Sequence, residues 1–265
     1  MNDDSIENFL SIGSGNIVTA DSEDQSRPLV VRGVIKKDHI YKCIDQQRDY
    51  YYVDTGYLGN FPSPGNTSGK KKWHRIVKNG LQHDQSFDVP DDRWKDLVKQ
   101  DPRLKWKGWK NYNKKILLVM PNPKACKFYG VDYDTWVEET TNAIKANIDL
   151  PIEVRMKGSR SERNNGYSIY DAFDSGVYAT VAFNSIAALE SVLYGIPAFI
   201  SVPCAASPLA SYDLTQLKNP LRPSEADILR HCRSIAYGQF TLEEISSGVA
   251  WRIINRYPYE TSIKR

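Results

Sequence analysis

The second half of the chain alternates apolar runs with segments whose apolar positions have helical spacing. Residues 134–146 and 185–194 carry the helical pattern, and residues 169–173 predict a further helix or turn. Apolar runs of this length are typical of strands that are covered on both faces of a parallel sheet. The predicted strands are residues 115–120, 152–156, 177–183 and 196–202. The pattern therefore predicts an open parallel sheet with helices on both faces, within a domain at residues 114–265.

The first half has a weaker pattern. A polar, acidic tail at residues 1–26 precedes a strand, a helix and a second strand, which together form one βαβ unit. The predicted elements of this half are strands at residues 27–34, 50–54 and 73–77 and helices at residues 35–48 and 91–99. We assign residues 27–113 to a first domain with an irregular insertion. Near the carboxyl end, Thr241 and Glu244 match a capping box, which predicts one helix running to about residue 255.

Basic side chains are concentrated in the middle of the sequence. The formal net charge is +3, but residues 70–115 contain fourteen Lys or Arg and six Asp or Glu, a local excess of +8. Such a segment either faces the phosphates of a nucleic acid, a nucleotide or an anionic glycan, or forms a solvated loop. Trp73, Trp94, Trp106 and Trp109 lie in it. They either anchor it to the core or form a stacking surface for bases or sugars.

The cysteines and the apolar content bear on where the protein works. Four widely spaced cysteines form no CxxC pair, so the sequence favours neither a disulfide framework nor a zinc site. The first residues lack the basic and apolar regions of a signal peptide. No run approaches the roughly 18–20 apolar residues that a membrane span needs. These features predict a protein of a reducing cytoplasm that does not insert into membranes.

Three loops are expected to meet at the carboxyl edge of the predicted parallel sheet, where open α/β sheets bind their ligands. They are residues 121–127, 157–163 and 183–185. In the third loop, Asn184 and Ser185 are good N-cap residues, so the helix that follows would present free backbone N–H groups to an anion. The alternative is an ordinary capped helix packed on a sheet.

Residues 182–198 resemble the donor-site signature of GT-B glycosyltransferases. In that signature a strand ends in small or hydroxyl residues, a helix containing Glu follows, and a Gly-x-Pro turn closes the motif. Ser185, Glu190 and Gly195 with Pro197 match these features. The second half is similar to capsule-type Kdo transferases and to phage DNA glycosyltransferase-like proteins, and residues 52–59 look like the acceptor strand end of the Kdo type. The resemblance implies an α/β fold of two Rossmann-like halves.

The same resemblance implies a nucleotide sugar as co-substrate, with a UDP-sugar as the first expectation, and neither a metal ion nor a bound cofactor. Backbone groups at the start of the helix would hold the diphosphate, and Glu190 would approach the ribose or the sugar. The donor-binding residues expected on this basis are Asn184, Ser185, Ile186, Glu190, Arg155, Lys157 and Arg160, with Arg163 as a further candidate. A solvated basic loop is the alternative for residues 155–163. The chain departs from the family in lacking its usual His-Pro pair in the strand that ends at Met156.

An inverting transferase also needs a base to deprotonate the acceptor hydroxyl. Asp54 is the first choice because it directly follows the apolar residues of a predicted strand; the alternative is a turn aspartate before Gly56. His74 and His83 are further candidates for the base, and His74 could instead contact a phosphate. His39 and His231 are expected on helix surfaces.

The expected acceptor is a hydroxymethylated base in phage DNA, reached through phosphate contacts and base flipping. Lys71, Lys72, Arg75 and Lys78 would make the phosphate contacts. Such an enzyme would work in the host cytoplasm. Two alternatives stay open: transfer to a surface glycan or lipid-linked precursor, and a non-catalytic protein that binds nucleotides or nucleic acid with the same fold.

Overall fold

The computed structural model describes residues 10–11, 13–19, 24–60, 72–156 and 169–257 and contains two four-stranded sheets. The strands are β1 (Leu29–Arg32), β2 (Tyr50–Thr55), β3 (His74–Lys78), β4 (Lys115–Val119), β5 (Ile152–Arg155), β6 (Val177–Ala182), β7 (Ala198–Ile200) and β8 (Gln239–Phe240). The helices are α1 (Lys37–Asp45), α2 (Asp92–Gln100), α3 (Pro123–Tyr129), α4 (Tyr133–Asn147), α5 (Ile169–Asp174), α6 (Ile186–Tyr194), α7 (Glu225–Tyr237), α8 (Leu242–Ser246) and α9 (Val249–Arg256). The fold is α/β, as the alternation of elements predicts.

The second sheet has the order β5-β4-β6-β7, and all of its neighbouring strands are parallel. Leu117 and Val119 of the central strand pack into one core cluster with α6 and α7. Ile116 and Leu118 pack on the opposite face with α3 and α4. The predicted parallel sheet with helices on both faces is confirmed, because the near-continuous apolar runs of its strands supply side chains to both faces at once.

The first sheet is mixed. β1 pairs with β2 in parallel, which confirms the predicted βαβ unit, but β3 pairs antiparallel with β2 and with β8. The parallel arrangement expected of a Rossmann-like half is therefore found for one pair of its strands. β8 follows α7 at the far end of the chain, so this sheet is completed by residues that the sequence pattern assigns to the second domain.

Two sequence expectations differ from the structure near local capping signals. Residues 121–127, expected as a loop, are largely helix α3, because the Asn122 side chain caps the Lys124 N–H at 2.9 Å and Pro123 suits the first helical position. The capping box at Thr241 is present, but the single helix predicted after it is two, α8 and α9. They separate at Gly248, whose φ of +77° is left-handed.

The tryptophans of the basic segment anchor that segment to the core. Trp94 is buried in the large cluster that includes α6, and Trp73, Trp106 and Trp109 pack against the same cluster. The Trp109 indole also donates a hydrogen bond to the carbonyl of Pro223 at 3.2 Å. Of the two alternatives for these residues, anchoring is the one that the packing supports.

The C-terminal helix α9 packs back on the first sheet. The Trp251 ring contacts the Tyr51 ring edge-on, with centroids 5.1 Å apart, and Ile254 lies in the same buried cluster as Val53 and Ile76. The chain thus passes from the first sheet to the second and returns to the first.

Gly195 is required both by its backbone conformation and by a close contact. It ends α6 with a φ of +92°, and a Cβ at this position would lie 2.1 Å from the carbonyl oxygen of Gly108. The Lys110 N–H donates to the Gly195 carbonyl at 2.7 Å, so the segment between the sheets runs directly against the end of α6. The Gly-x-Pro turn is therefore also a contact between chain segments.

We predict that Gly195→Ala lowers the free energy of unfolding by at least about 2 kcal/mol, because it adds a steric clash to left-handed strain. Gly130→Ala is the matched control. Gly130 ends α3 with a φ of +68°, but nothing lies within 4 Å of the point that a Cβ would occupy there. Urea unfolding of both variants measures the difference, and equal losses would show that the contact with Gly108 contributes nothing.

Candidate functional site

The order of the second sheet produces a topological switch point at its carboxyl edge. The chain leaves β4 for β5 on one side and later crosses to β6 on the other side of β4. Ligands of open α/β sheets bind at such a switch point, where the connections leave in opposite directions. Arg155 and Ala182 both pair with Val119, so Arg155 and the loop after β6 lie at the same edge, as expected.

Helix α6 begins at this edge. The Ser185 hydroxyl caps the helix by accepting from the Ala187 N–H at 3.2 Å. Asn184, Ser185 and Ile186 are half-buried, and the Ile186 side chain packs on the core, which leaves its backbone for contact with a ligand. A capped N-terminus at a switch point offers N–H groups and a partial positive charge to an anion.

Glu190 follows one turn later and is 8% exposed. Burial raises the pKa of its carboxyl to about 7, although the Arg103 and Arg155 guanidinium groups act in the opposite direction; Asp101 raises it further. Near neutral pH the carboxyl is therefore present in both its protonated and its ionised form. In that state it can either accept or donate a hydrogen bond to a hydroxyl group of a ligand.

Arg103 also belongs to the site around Glu190, although no sequence pattern predicts it. Its guanidinium donates to both carboxylate oxygens of Asp101, from Nε at 2.8 Å and from a terminal nitrogen at 2.7 Å, and lies 5.0 Å from the centre of the Tyr170 ring. Asp101 also caps a short turn at Pro102–Leu104. An Asp-Pro pair could have predicted that turn, but no local signal places it beside Glu190. Lys157, Arg160 and Arg163 lie outside the described residues.

On the first sheet, Asp54 is held by three donors. Its carboxylate accepts from the Tyr52 hydroxyl at 2.9 Å, the Thr55 N–H at 2.7 Å and the Arg75 guanidinium at 3.0 Å. Its side chain is 36% exposed. These donors favour the charged form of the carboxylate and fix its orientation.

The histidines occupy different environments. His74 is buried in β3, where it is in register with Thr55 and Phe240. His83 shares a hydrogen bond with the Tyr57 hydroxyl at 3.0 Å, and burial, with Arg75 and His231 nearby, lowers its pKa to about 3. His39 is exposed on α1, as expected. The surface position expected for His231 is wrong: it is fully buried and donates from Nε2 to the Ala205 carbonyl at 2.6 Å.

The residues expected to contact DNA phosphates are largely engaged within the protein. The Arg75 side chain is 11% exposed and donates to Asp54, to the Thr55 carbonyl and to the Leu81 carbonyl. Lys78 forms an ion pair with Asp49 at 2.7 Å. Lys72 is exposed and lies over the Trp73 ring. Lys71 lies outside the described residues.

Ion pairs also reduce the charge of the basic segment. Among the described residues of the segment, six basic side chains pair with carboxylates. Four of those carboxylates come from outside residues 70–115, namely Asp49, Asp54, Glu153 and Glu244. Counting these four acids lowers the local excess from +8 to +4. The segregation of charge along the sequence is therefore only partly kept in the folded protein.

A buried amide connects the two sheets at the site. The Gln82 side chain donates to the Asn184 carbonyl and accepts from the Ala205 N–H, each at 3.0 Å. Gln82 is adjacent to His83, whose ring contacts Tyr57 just beyond β2. The carboxyl ends of β2 and β6 are thus connected through one short segment.

Two further features concern the described part of the chain alone. No helix there is long and apolar enough to cross a membrane. Within the same residues, no group of three or more His, Cys, Asp or Glu side chains is arranged to hold a metal ion.

We predict that Glu190→Gln stabilises the protein at alkaline pH. The carboxyl binds its proton more tightly in the folded state, with a pKa near 7 against 4.5 when exposed, so wild-type stability falls as the pH rises through this interval. The variant should be more stable by about 3 kcal/mol at pH 8.5, with the difference lost at pH 4.

Urea unfolding at a series of pH values measures this effect. Glu139→Gln, at an exposed position of α4, is the control and should show no comparable difference. A gain for Glu190→Gln that does not change with pH would contradict the assignment of the effect to ionisation of Glu190.

No protein-family model and no curated protein sequence matches the chain. Among solved structures, the KpsC β-Kdo 2,4-transferase of Thermosulfurimonas dismutans is similar over 85% of this chain and 86% of its own, with 14% identity and a TM-score of 0.48. The KpsC β-Kdo 2,7-transferase of the same organism is similar over 95% and 90%, with 12% identity and a TM-score of 0.46. Because both TM-scores are below 0.5, these likenesses do not by themselves assign a fold family or an activity.

Proposed function

We propose that this protein is a glycosyltransferase that moves a sugar from a nucleotide sugar to a hydroxyl group of a glycan acceptor. One arrangement carries the proposal. At the switch point of a parallel sheet, the capped start of α6 lies one turn before the buried carboxyl of Glu190, and Arg103 and Arg155 lie close enough to act on that carboxyl. Such a site offers anion-binding groups beside a group that can bind a hydroxyl.

In this proposal the donor lies across the first turn of α6. Backbone N–H groups near Asn184, Ser185 and Ile186 receive the diphosphate, and Arg155 neutralises part of its charge. Glu190 binds a hydroxyl of the ribose or of the sugar. Lys157 and Arg160 stay candidates for the phosphates, and a UDP-sugar stays the first choice of donor. Stabilising the departing diphosphate with these groups is the means by which such an enzyme works without a metal ion.

The first sheet supplies the acceptor side of the proposed GT-B arrangement. Asp54 takes the proton of the acceptor hydroxyl as the hydroxyl oxygen attacks the anomeric carbon and the nucleotide phosphate leaves. Its hydrogen bonds with Tyr52, Thr55 and Arg75 support this role by keeping the carboxylate charged and oriented.

A glycan acceptor is favoured over DNA by the basic residues. Binding to duplex DNA depends on Lys and Arg side chains that are available to release counterions from phosphates. Arg75 is buried in an ion pair, Lys78 is paired with Asp49, and Trp94, Trp106 and Trp109 pack on the core. A hydroxymethylated DNA base is therefore the second candidate for the acceptor. Salt-dependent DNA binding by the intact protein would favour the DNA base over a glycan.

The donor site is tested by a panel of nucleotide sugars read by thermal shift, because a ligand that binds the folded state raises its stability by mass action. We predict that Ser185→Ala weakens the binding that the panel detects. Ser224→Ala is the matched control, since the Ser224 hydroxyl caps α7 by accepting from the Asp227 N–H. Each variant should lose about 1 kcal/mol of stability with its cap. Equal nucleotide-sugar affinities in the two variants would leave α6 as an ordinary capped helix.

We predict that Asp54→Asn keeps donor binding and slows sugar transfer by roughly 10²–10⁴-fold, the usual scale for a positioned base. Transfer is measured by mass spectrometry with glycan acceptors and with plain and hydroxymethylated DNA. Tyr52→Phe is the control, because it removes one hydrogen bond to Asp54 but keeps the carboxylate. Unchanged transfer in a folded Asp54→Asn protein would give Asp54 a structural role as the partner of Arg75.

A further inference from the structure

The turn at Pro102–Leu104, which carries Arg103, packs against α6, the helix that carries Glu190. The proposed transfer reaction gives Arg103 no contact with the ligand. The Asp101 carboxylate holds the guanidinium along one edge, and the Tyr170 ring lies against its plane. Asp101 is 4% exposed, whereas a third of the Arg103 side chain is exposed. An arginine fork that is already fixed loses little conformational freedom when it binds a further anion.

Charged and titratable groups of three described segments interact electrostatically with Glu190. Arg103 and Asp101 belong to the turn after α2, Arg155 ends β5, and Tyr170 lies in α5. Among the described residues, no hydrogen bond or ion pair joins the Glu190 carboxyl to any of these groups. Arg103 therefore acts on the charge of Glu190 through space, while its Nε and one terminal nitrogen donate to Asp101.

We propose that a phosphate group of the ligand binds the Arg103 guanidinium and that Glu190 takes up a proton from solvent as the phosphate binds. This inference rests on the proposed function for the identity of the ligand. A phosphate beside Glu190 would place a second negative charge next to a buried carboxylate. It would also pair with the Arg103 guanidinium, whose positive charge compensates that carboxylate in the free protein. Protonation removes the repulsion, and the neutral carboxyl group can then donate a hydrogen bond to the ligand.

The coupling has a definite sign. The bound phosphate favours the protonated form of Glu190. The affinity for the ligand therefore falls as the pH rises through the range in which the carboxyl is ionised in the free protein but protonated in the complex. One proton is involved, so the fall is at most about tenfold for each pH unit. Asp101 stays paired with Arg103 throughout and acts as a positioning residue.

The first test needs no nucleotide. Sulfate keeps its charge near neutral pH, so it serves as the probe, and sodium chloride at equal ionic strength controls for screening. The midpoint of the Glu190 side-chain titration is followed by carbon-13 NMR. We expect sulfate to raise this midpoint in the wild type and in Arg230→Gln, a control at an exposed, ion-paired arginine. In Arg103→Gln the midpoint should be higher without sulfate and should not respond to it.

Arg103→Lys covers the case in which the Gln variant does not fold, because it leaves the buried Asp101 carboxylate a cationic partner. An ammonium lacks the bidentate fork, so we expect a smaller response to sulfate than in the wild type. Absence of any sulfate effect in the wild type, or an undiminished effect in the Arg103 variants, would overturn the proposal.

The second test uses UDP-glucose first, or whichever nucleotide sugar the panel identifies, by calorimetry in buffers of different ionisation heat. We expect proton uptake on binding to the wild type, binding without uptake in Glu190→Gln, and an affinity reduced about tenfold or more in Arg103→Gln. Equal affinity in Arg103→Gln would reject this inference and leave the proposed function standing. A panel without any binder, together with an intact sulfate response, would reject the proposed function and support a phosphate site of another kind.

Discussion

The hydrogen bonds of one buried amide, Gln239, hold the carboxyl end of the first sheet in place. Its side-chain oxygen accepts from the backbone N–H groups of Tyr57 and Leu58, at 2.8 and 3.1 Å, and its NH₂ group donates to the Leu58 carbonyl at 3.1 Å. Gln239 is fully buried, so these backbone groups could find no water in its place. Because Gln239 also belongs to β8, the turn after β2 and the C-terminal return of the chain form as one unit.

The position of the candidate site follows from that unit. The turn fixed by Gln239 places the Tyr57 hydroxyl against His83, and the adjacent Gln82 bonds to the Asn184 carbonyl and the Ala205 N–H. Each of these contacts is a buried hydrogen bond. Removing one partner would leave the other buried without a partner, which costs free energy of folding. The distance between Asp54 and the start of α6 is therefore set by hydrogen bonds and does not depend only on apolar packing.

The elements that the sequence predicts best are those whose signal is local and strong. The parallel strands are short apolar runs, and the starts of α6 and α8 carry capping residues that act within one turn. The sequence places His231 on a helix but gives neither the bounds of α7 nor its buried face, because that face includes His231, Cys232 and Ser234, which hide the apolar periodicity. β8 has two residues and no local pattern at all; its pairing with β3 is decided by the tertiary structure.

The site is predictable in part for the same reason. The sequence places the loop after β6, Ser185 and Arg155 at one edge, because the parallel direction of the strands and the chemistry of helix caps can be inferred from local patterns. Arg103 is missed, and the availability of Arg75 and Lys78 is overestimated, because ion pairs such as Arg75–Asp54 join residues that are distant along the chain. A count of charges along the sequence cannot include partners that only folding brings together.

Helix α6 is fastened at both ends to the rest of the molecule. Its start is tied through Asn184 to Gln82, and its end lies against Gly108 with Lys110 bonded to Gly195. Many enzymes with two α/β halves admit substrate and release product by hinge rotation of one half against the other. Here such a rotation would break contacts at both ends of the helix that carries the site. In the proposed transferase, product release without that cost would proceed by local rearrangement at the sheet edge, and the speed of turnover would be governed by loops and side chains.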